Sequence, residues 1–197
     1  SVGIKVPVDQ SNTVFKAVNL LEKKFNINVR HKIIIDKHIP LGGGLGGGSS
    51  NAALALTTIA QLYKLNITNK DLFNLANEIG SDVPFFLYGG VKMIEGTGNI
   101  VNNINSSGLI NKKILLVFPK FNISTQWAYS QVKKHLHHND NHNKFSPLTK
   151  NVKWELFNND FEKIVCTTYP EIPKIKDILY KQGALYLKHS VSDVFDL

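Results

Sequence analysis

A single cysteine, Cys166, in 197 residues excludes an internal disulfide and any metal site built from several thiolates. A reducing compartment fits that scarcity. Long apolar runs are missing too. A membrane helix needs about 18 consecutive apolar residues, and the best run here, "ILLVF" at Ile114–Phe118, has only the length of a strand. Acidic residues are few, 15 against 23 lysines and arginines, which leaves a net charge of +8. That excess suits an anionic partner, or it reflects the coding bias of an AT-rich gene, since Lys, Asn and Ile abound. The lysines are scattered, and no basic run interleaves with aromatics, so a nucleic-acid surface is not indicated. Residue 1 is Ser rather than Met, so the lack of a secretory leader carries no weight.

What is present is enough apolar material, 43% of residues, for one ordinary globular domain or two small ones. Ser11–Lys24 has helical apolar spacing with Ser11 or Asn12 as its cap. "VRHKIIIDKHIP" then reads as a strand ended by Pro40. Ser49–Lys64 is a helix with Ala52, Leu56, Ile59, Ala60 and Tyr63 on one face, and "TNKDLFNLANEIG" is a second, capped by Thr68 or Asn69 and stopped by Gly80. "VKMIEG" and "KKILLVFPK" read as strands. Thr125–Lys134, "WELFNNDFEKIV" and "PEIPKIKDILYKQG" read as helices. "SGLINK", at residues 108–113, is a plausible domain boundary. His135, His137, His138 and His142 invite a metal reading, but they sit in a polar, low-complexity loop with nothing rigid to frame them, so no metal site is assigned.

Six glycines fill seven positions from Gly42 to Gly48, between a strand and a helix. Glycine destabilises an ordered chain unless close approach or unusual backbone angles require it. The NTPase phosphate loop, G-x-x-x-x-G-K-S/T, fails, because Ser49 stands where the lysine belongs. The dinucleotide fingerprint is met trivially by Gly42, Gly44 and Gly47, but no second strand ending in an acid follows, and Asp71 lies at a helix start. The remaining reading is an anion nest of bare N–H groups leading into a helix N-terminus, with Ser49 and Ser50 able to bind phosphate or its Mg²⁺. A flexible linker is the bland alternative. The second signal is "GSDVPFF", Gly80–Phe86, which sets Asp82 beside an apolar run. Such a carboxylate is a general-base candidate, or else a turn Asp that bonds its own backbone. A phosphate cradle and a hydroxyl-positioning carboxylate together are what phosphoryl transfer to an alcohol requires.

"PLGGGLGGGSSNAA" followed by "GSDVPFF" resembles the GHMP small-molecule kinases, most closely the branch acting on a diphosphocytidyl-linked methylerythritol. The likeness extends through "SNTVFKA", "NDFE" and "PEIPKIK" and covers most of Ser11–Ala184. It implies an α+β fold: a GHMP N-terminal domain like the second domain of ribosomal protein S5 over residues 1–110, and a partial α+β C-terminal domain over residues 111–197. It implies ATP-dependent phosphorylation of the substrate's 2-hydroxyl, in isoprenoid synthesis by the non-mevalonate route. ATP and Mg²⁺ would be the cofactors. The setting would be a bacterial cytoplasm or plastid stroma, with no nucleic-acid or membrane partner, and homodimer formation is left open. Position by position, Pro40, Leu41, Gly42, Gly43, Gly44, Leu45, Gly46, Gly47, Gly48, Ser49 and Ser50 would be the ATP phosphate loop and Asp82 the catalytic base. Asn12 and Lys37 match positions near the adenine. Tyr129 matches an aromatic stacking on cytosine, with Thr125 in the same segment. Unaided, the helical pattern makes Tyr129 core-facing.

Two departures from the family pattern bear on activity. The opening strand with a catalytic lysine, near "PAKLNL", and a cytidine-contacting "DGYH" have no counterpart, and a second glycine run of the form "MSGSGS" is replaced by "HSVSDVF", His189–Phe195. Val191 and Asp193 are poor substitutes in a loop that approaches phosphate. The expectation is a fragment, a decayed gene product or a misframed end, without turnover as it stands. A nucleotide-binding remnant, or another GHMP kinase such as one acting on homoserine, are the other readings.

Overall fold

The computed structural model describes residues 2–41, 43–95, 100–109, 111–119, 121, 123–135, 159 and 161–188. The chain divides into two compact units, Ser1–Leu41 with Leu45–Ile104, and Gly42–Gly44 with Asn105–Leu197.

The first unit is a helical core flanked by two small sheets. Helix α1, Thr13–Phe25, begins where the Asn12 side chain accepts from the Val14 N–H, and ends where Asn26 enters the left-handed region at φ 49°. Helix α2, Gly47–Leu62, packs on it through residues with almost no side chain. Ala17, Ala52 and Ala76 are fully buried, and small residues let helix backbones approach closely while Leu21 and Leu56 fill the space between them. Helix α3, Asn69–Ile79, closes the cluster with Leu75 and Ile79. The Thr68 hydroxyl accepts from the Asp71 N–H and donates to its carboxylate at 2.5 Å. Lys24 reaches the same carboxylate at 2.7 Å, joining α1 to α3. These bonds, Lys24 first and Thr68 second, hold the Asp71 carboxyl below its ordinary range. Asp71 is thus a capping residue, as its position at a helix start implies. Leu56→Ala should destabilise the chain by about 2–5 kcal/mol, the cost of a cavity in a core that cannot collapse. A denaturant midpoint unchanged by Leu56→Ala would mean that α1 and α2 do not form this contact in solution.

Helix α4, Val83–Tyr88, was not expected from the sequence. Pro84 sits in its first turn, where no N–H is needed, and Val83 and Pro84 are both buried. Two expected strands are largely unmade. From "VRHKIIIDKHIP" only β2, Asp36–Lys37, joins a ladder, parallel to β1, Val2–Gly3; Ile33 and Ile34 are exposed. The "ILLVF" run forms no ladder among the described residues, and its five side chains are 46–85% exposed. β-Branched composition favours a strand only when a neighbour takes up its N–H and C=O groups. "VKMIEG" does form β3, Lys92–Glu95, antiparallel to β4, Ile100–Asn103.

The second unit holds α5, Thr125–His135, α6, Glu162–Thr168, and α7, Glu171–Lys181. Ile123, Val165 and Ile172 form its buried centre, with Trp127, Phe161 and Tyr169 around them. Burial, and then Glu162, pushes the Cys166 thiol up, so it packs rather than reacts. His137, His138 and His142, the first part of "WELFNNDFEKIV", and "HSVSDVF" lie outside the described residues, as does the side chain of His135.

Candidate phosphate-binding site

Among the described residues one charged side chain is buried, Lys37, at 6% exposure. Pairing of β2 with β1 turns Asp36 outward and Lys37 inward, by the period-two alternation of a strand. No carboxylate pairs with the buried ammonium among the described residues. Its Nζ lies 2.5 Å from the point a Cβ on Gly47 would occupy, at the first residue of α2.

The start of α2 is itself electropositive. Its N-cap is Gly46 at φ 63°, with no side chain to cap the first N–H groups. The first intrahelical bond runs from the Ser50 N–H to the Gly46 carbonyl at 2.8 Å. The N–H groups of Gly47, Gly48 and Ser49 therefore precede the helical ladder. Two like poles, a buried ammonium and a partly exposed helix N-terminus, lie side by side. That arrangement is unfavourable unless an anion sits between them.

Neighbouring elements fix this loop in place. The Thr13 hydroxyl, at the start of α1, donates to the Gly48 carbonyl at 2.9 Å. The Phe86 ring, on α4, lies 2.6 Å from the point a Cβ on Gly46 would occupy. Gly46 thus meets two demands only glycine satisfies, a left-handed backbone and contact with an aromatic ring. Gly44 is also left-handed, at φ 65°. Pro40, Leu41 and Ile39 are exposed; Leu45, Ser49 and Ser50 are half-buried; Gly42 lies outside the described residues.

Asn12 is used by its own helix end. Its Oδ1 accepts from the Val14 N–H at 2.9 Å, and its Nδ2 donates to the Pro7 carbonyl at 2.6 Å. Beside it runs an open cleft of about 240 Å³, walled by Val6, Pro7, Val8, Phe15, Val18, Val29 and Ile33, with Asn12 and His31 as its polar groups. The Tyr63 hydroxyl accepts from the Arg30 N–H and lies 3.0 Å from His31 Nδ1. Asn12 lines the cleft and the next residue, Thr13, bonds the glycine loop, so cleft and loop flank the same helix end.

Asp82 stands at the N-cap of α4 and is exposed. The Ser81 hydroxyl donates to its Oδ1 at 3.3 Å. The apolar run after it is buried beneath α2 instead of enclosing the carboxylate, so the apolar neighbourhood read from the sequence is not made by Val83 and Pro84. In the second unit, Thr125 is the first residue of α5. Tyr129 is 55% exposed, with its ring edge on Phe161 at 5.0 Å, rather than core-facing as its spacing suggested. Thr13 and Phe86 were missed by the sequence reading. Phe86 lies inside "GSDVPFF", where the local pattern singles out only the Asp.

Residues 12–90 match the family described as the GHMP kinases N terminal domain. The 4-diphosphocytidyl-2-C-methyl-D-erythritol kinase of Thermodesulfovibrio yellowstonii is 38% identical over 95% of this chain and 69% of its own. The enzyme of the same name from Chlorobium chlorochromatii is 33% identical over 99% of this chain and 70% of its own. A crystal structure of 4-(cytidine 5'-diphospho)-2C-methyl-D-erythritol kinase matches with a TM-score of 0.65 at 26% identity, over 93% of this chain and 67% of that one.

Proposed function

The chain belongs to the 4-diphosphocytidyl-2-C-methyl-D-erythritol kinase family, a branch of the GHMP kinases, and from that membership we propose that its phosphate loop and Asp82 transfer the γ-phosphoryl group of ATP to the 2-hydroxyl of that CDP-linked alcohol. The observation that carries the reading is the buried Lys37 ammonium, without a carboxylate partner among the described residues, set against the N-terminus of α2. Phosphate oxygens would accept from the N–H groups of Gly47, Gly48 and Ser49 and from Lys37. The purine would lie toward the cleft beside Asn12. Asn12 keeps one lone pair and one N–H beyond its cap bonds, enough for a single base contact. In this reading residues 1–110 are the ATP-binding domain and residues 111–197 the C-terminal domain, in which Thr125 and Tyr129 are substrate-binding candidates, the Tyr129 ring offering stacking area to cytosine.

Magnesium fits this site as a companion of the phosphates. No group of three acidic, His or Cys side chains gathers among the described residues, while the Ser49 and Ser50 hydroxyls stand in the first turn of α2. The ion would neutralise charge on the phosphates, with one of those hydroxyls as its protein oxygen. Asp82 would take the proton of the attacking hydroxyl. Among the described residues no helix is long and apolar enough to cross a membrane. A bacterial cytoplasm or plastid stroma suits a kinase acting on a diffusible CDP-alcohol.

Lys37→Met tests the reading because its two effects have opposite signs. Met has a similar shape and no charge, so the nucleotide-free protein should melt at the same temperature or higher. ATP affinity by calorimetry should fall about tenfold or more, the worth of one charge-assisted bond. Affinity unchanged by Lys37→Met would remove the ammonium from the phosphate site.

A further inference from the structure

We propose that Phe86 is a positioning residue that sets the distance between the phosphate loop and the catalytic helix; the claim rests on the phosphoryl-transfer reading and extends it to a residue that touches neither ATP nor substrate. Three observations converge on this ring. Its tip, Cζ, lies 2.6 Å from the Cβ position of Gly46, with Cε2 at 2.8 Å. Gly46 is the residue whose left-handed backbone starts α2 and aims the first N–H groups. Phe86 also follows Asp82 by four residues, and Asp82 itself has helical angles, φ −88° and ψ −15°. Residues four apart share one face of a helix, one turn from each other. The face of α4 that touches the loop is thus the face that carries Asp82.

The ring is held from behind. Val83 and Pro84 anchor α4 in the core at 1% and under 2% exposure, Phe85 meets Phe86 edge-on at 4.9 Å, and Phe86 packs against the cluster of α1, α2 and α3. An aromatic ring is stiff along its length, with two side-chain torsions to fix, so it acts as a spacer. The Thr13 hydroxyl donates to the Gly48 carbonyl, so the start of α2 is held at two points, by that bond at Gly48 and by the ring at Gly46. Shortening the ring would leave Gly46 without a wall. A glycine with open space around it samples many backbone states, and the aim of the following N–H groups would be lost.

The test uses the full chain and two variants. Phe86→Leu keeps apolar bulk in the core and withdraws only the ring tip; Phe86→Ala removes the whole side chain. Hydrogen–deuterium exchange over residues 43–50 should rise about tenfold in both, while α1 and α3 exchange as in the parent for Phe86→Leu. Gly46→Ala introduces a collision with the ring in the parent. Its effect on loop exchange should therefore shrink several-fold in the Phe86→Ala background, where only the left-handed strain remains. In an active form of the enzyme containing this chain, Phe86→Leu should raise KM for ATP and lower kcat together, with the melting temperature held within a few degrees. A uniform rise in exchange across all helices would overturn the proposal in favour of a purely structural role, and so would unchanged loop exchange in Phe86→Leu. Loss of nucleotide binding by the parent would defeat the kinase reading alone, because the exchange measurements decide the contact without any ligand.

Discussion

Asp82→Asn, in an active form of the enzyme containing this chain, is expected to cut turnover about 10²–10⁴-fold, the usual contribution of a general base, while ATP affinity stays within about threefold. Asn matches Asp in shape and is an equally good N-cap, so the start of α4 should be undisturbed. Asp82 is exposed and, among the described residues, makes one side-chain bond, to Ser81, so little stability depends on its charge. What Asn lacks is the capacity to take a proton from the attacking hydroxyl. ADP release with the diphosphocytidyl substrate is the measurement. Turnover within about threefold of the parent would take Asp82 out of the mechanism. The same result would return it to the role of a turn residue.

The second large effect concerns two adjacent glycines that should behave differently. Gly46→Val places a β-branched residue at φ 63°, a region such side chains scarcely enter, and drives its Cβ into the Phe86 ring. Backbone strain of about 1–2 kcal/mol and overpacking of about 1–3 kcal/mol both apply. ATP affinity should fall by about 100-fold or more, with a visible loss of stability. Gly47→Ala is different. No positive φ constrains Gly47, and the added Cβ collides only with the tip of Lys37, the far end of a flexible side chain, while Ile39 lies at ordinary contact distance, 3.5 Å. The fold should be kept, and Ala is the better helix former. The ammonium must move aside, so ATP affinity should fall about tenfold without loss of melting temperature. Calorimetry and thermal melting on the pair separate the two cases. Equal effects at both positions would show that loop flexibility, not the ring or the ammonium, governs binding.

The helical part of the first unit was legible because its signals are local. Asn12 and Thr68 cap the helices that their positions imply, Gly80 ends α3, and the Ala52–Ala60 face of α2 is buried. The glycine loop raises the expectation of an anion site from sequence alone, because glycine at such density has few other uses. The strands expected but not made fail for a tertiary reason. Ile33–Ile35 and Ile114–Phe118 have strand composition, but a strand is completed by a neighbour whose register no local pattern carries. Ile100 and Val101 are two β-branched residues among asparagines, too short a run to announce β4. Pro84 hid α4, since proline reads as a breaker unless the helix start is already placed. Lys37 could be matched to a nucleotide site by likeness. Its burial and lack of a partner depend on which way a two-residue strand faces, and only the fold decides that.

In the proposed phosphate site, Lys37, which has no carboxylate partner among the described residues, would make the stability of this protein a property of its buffer. Any small oxyanion that settles between the ammonium and the start of α2 binds the folded chain and not the unfolded one. It therefore raises the unfolding free energy by RT ln(1 + [L]/Kd), about 2.7 kcal/mol at 100 times its dissociation constant. Melting curves taken in phosphate or sulfate should lie above those taken in chloride at matched ionic strength, and the gap should widen with anion concentration. Sulfate and phosphate also stabilise folded chains by exclusion from their surface, so the part of that interval lost in Lys37→Met is what would measure occupancy of the proposed site, with no assay of turnover.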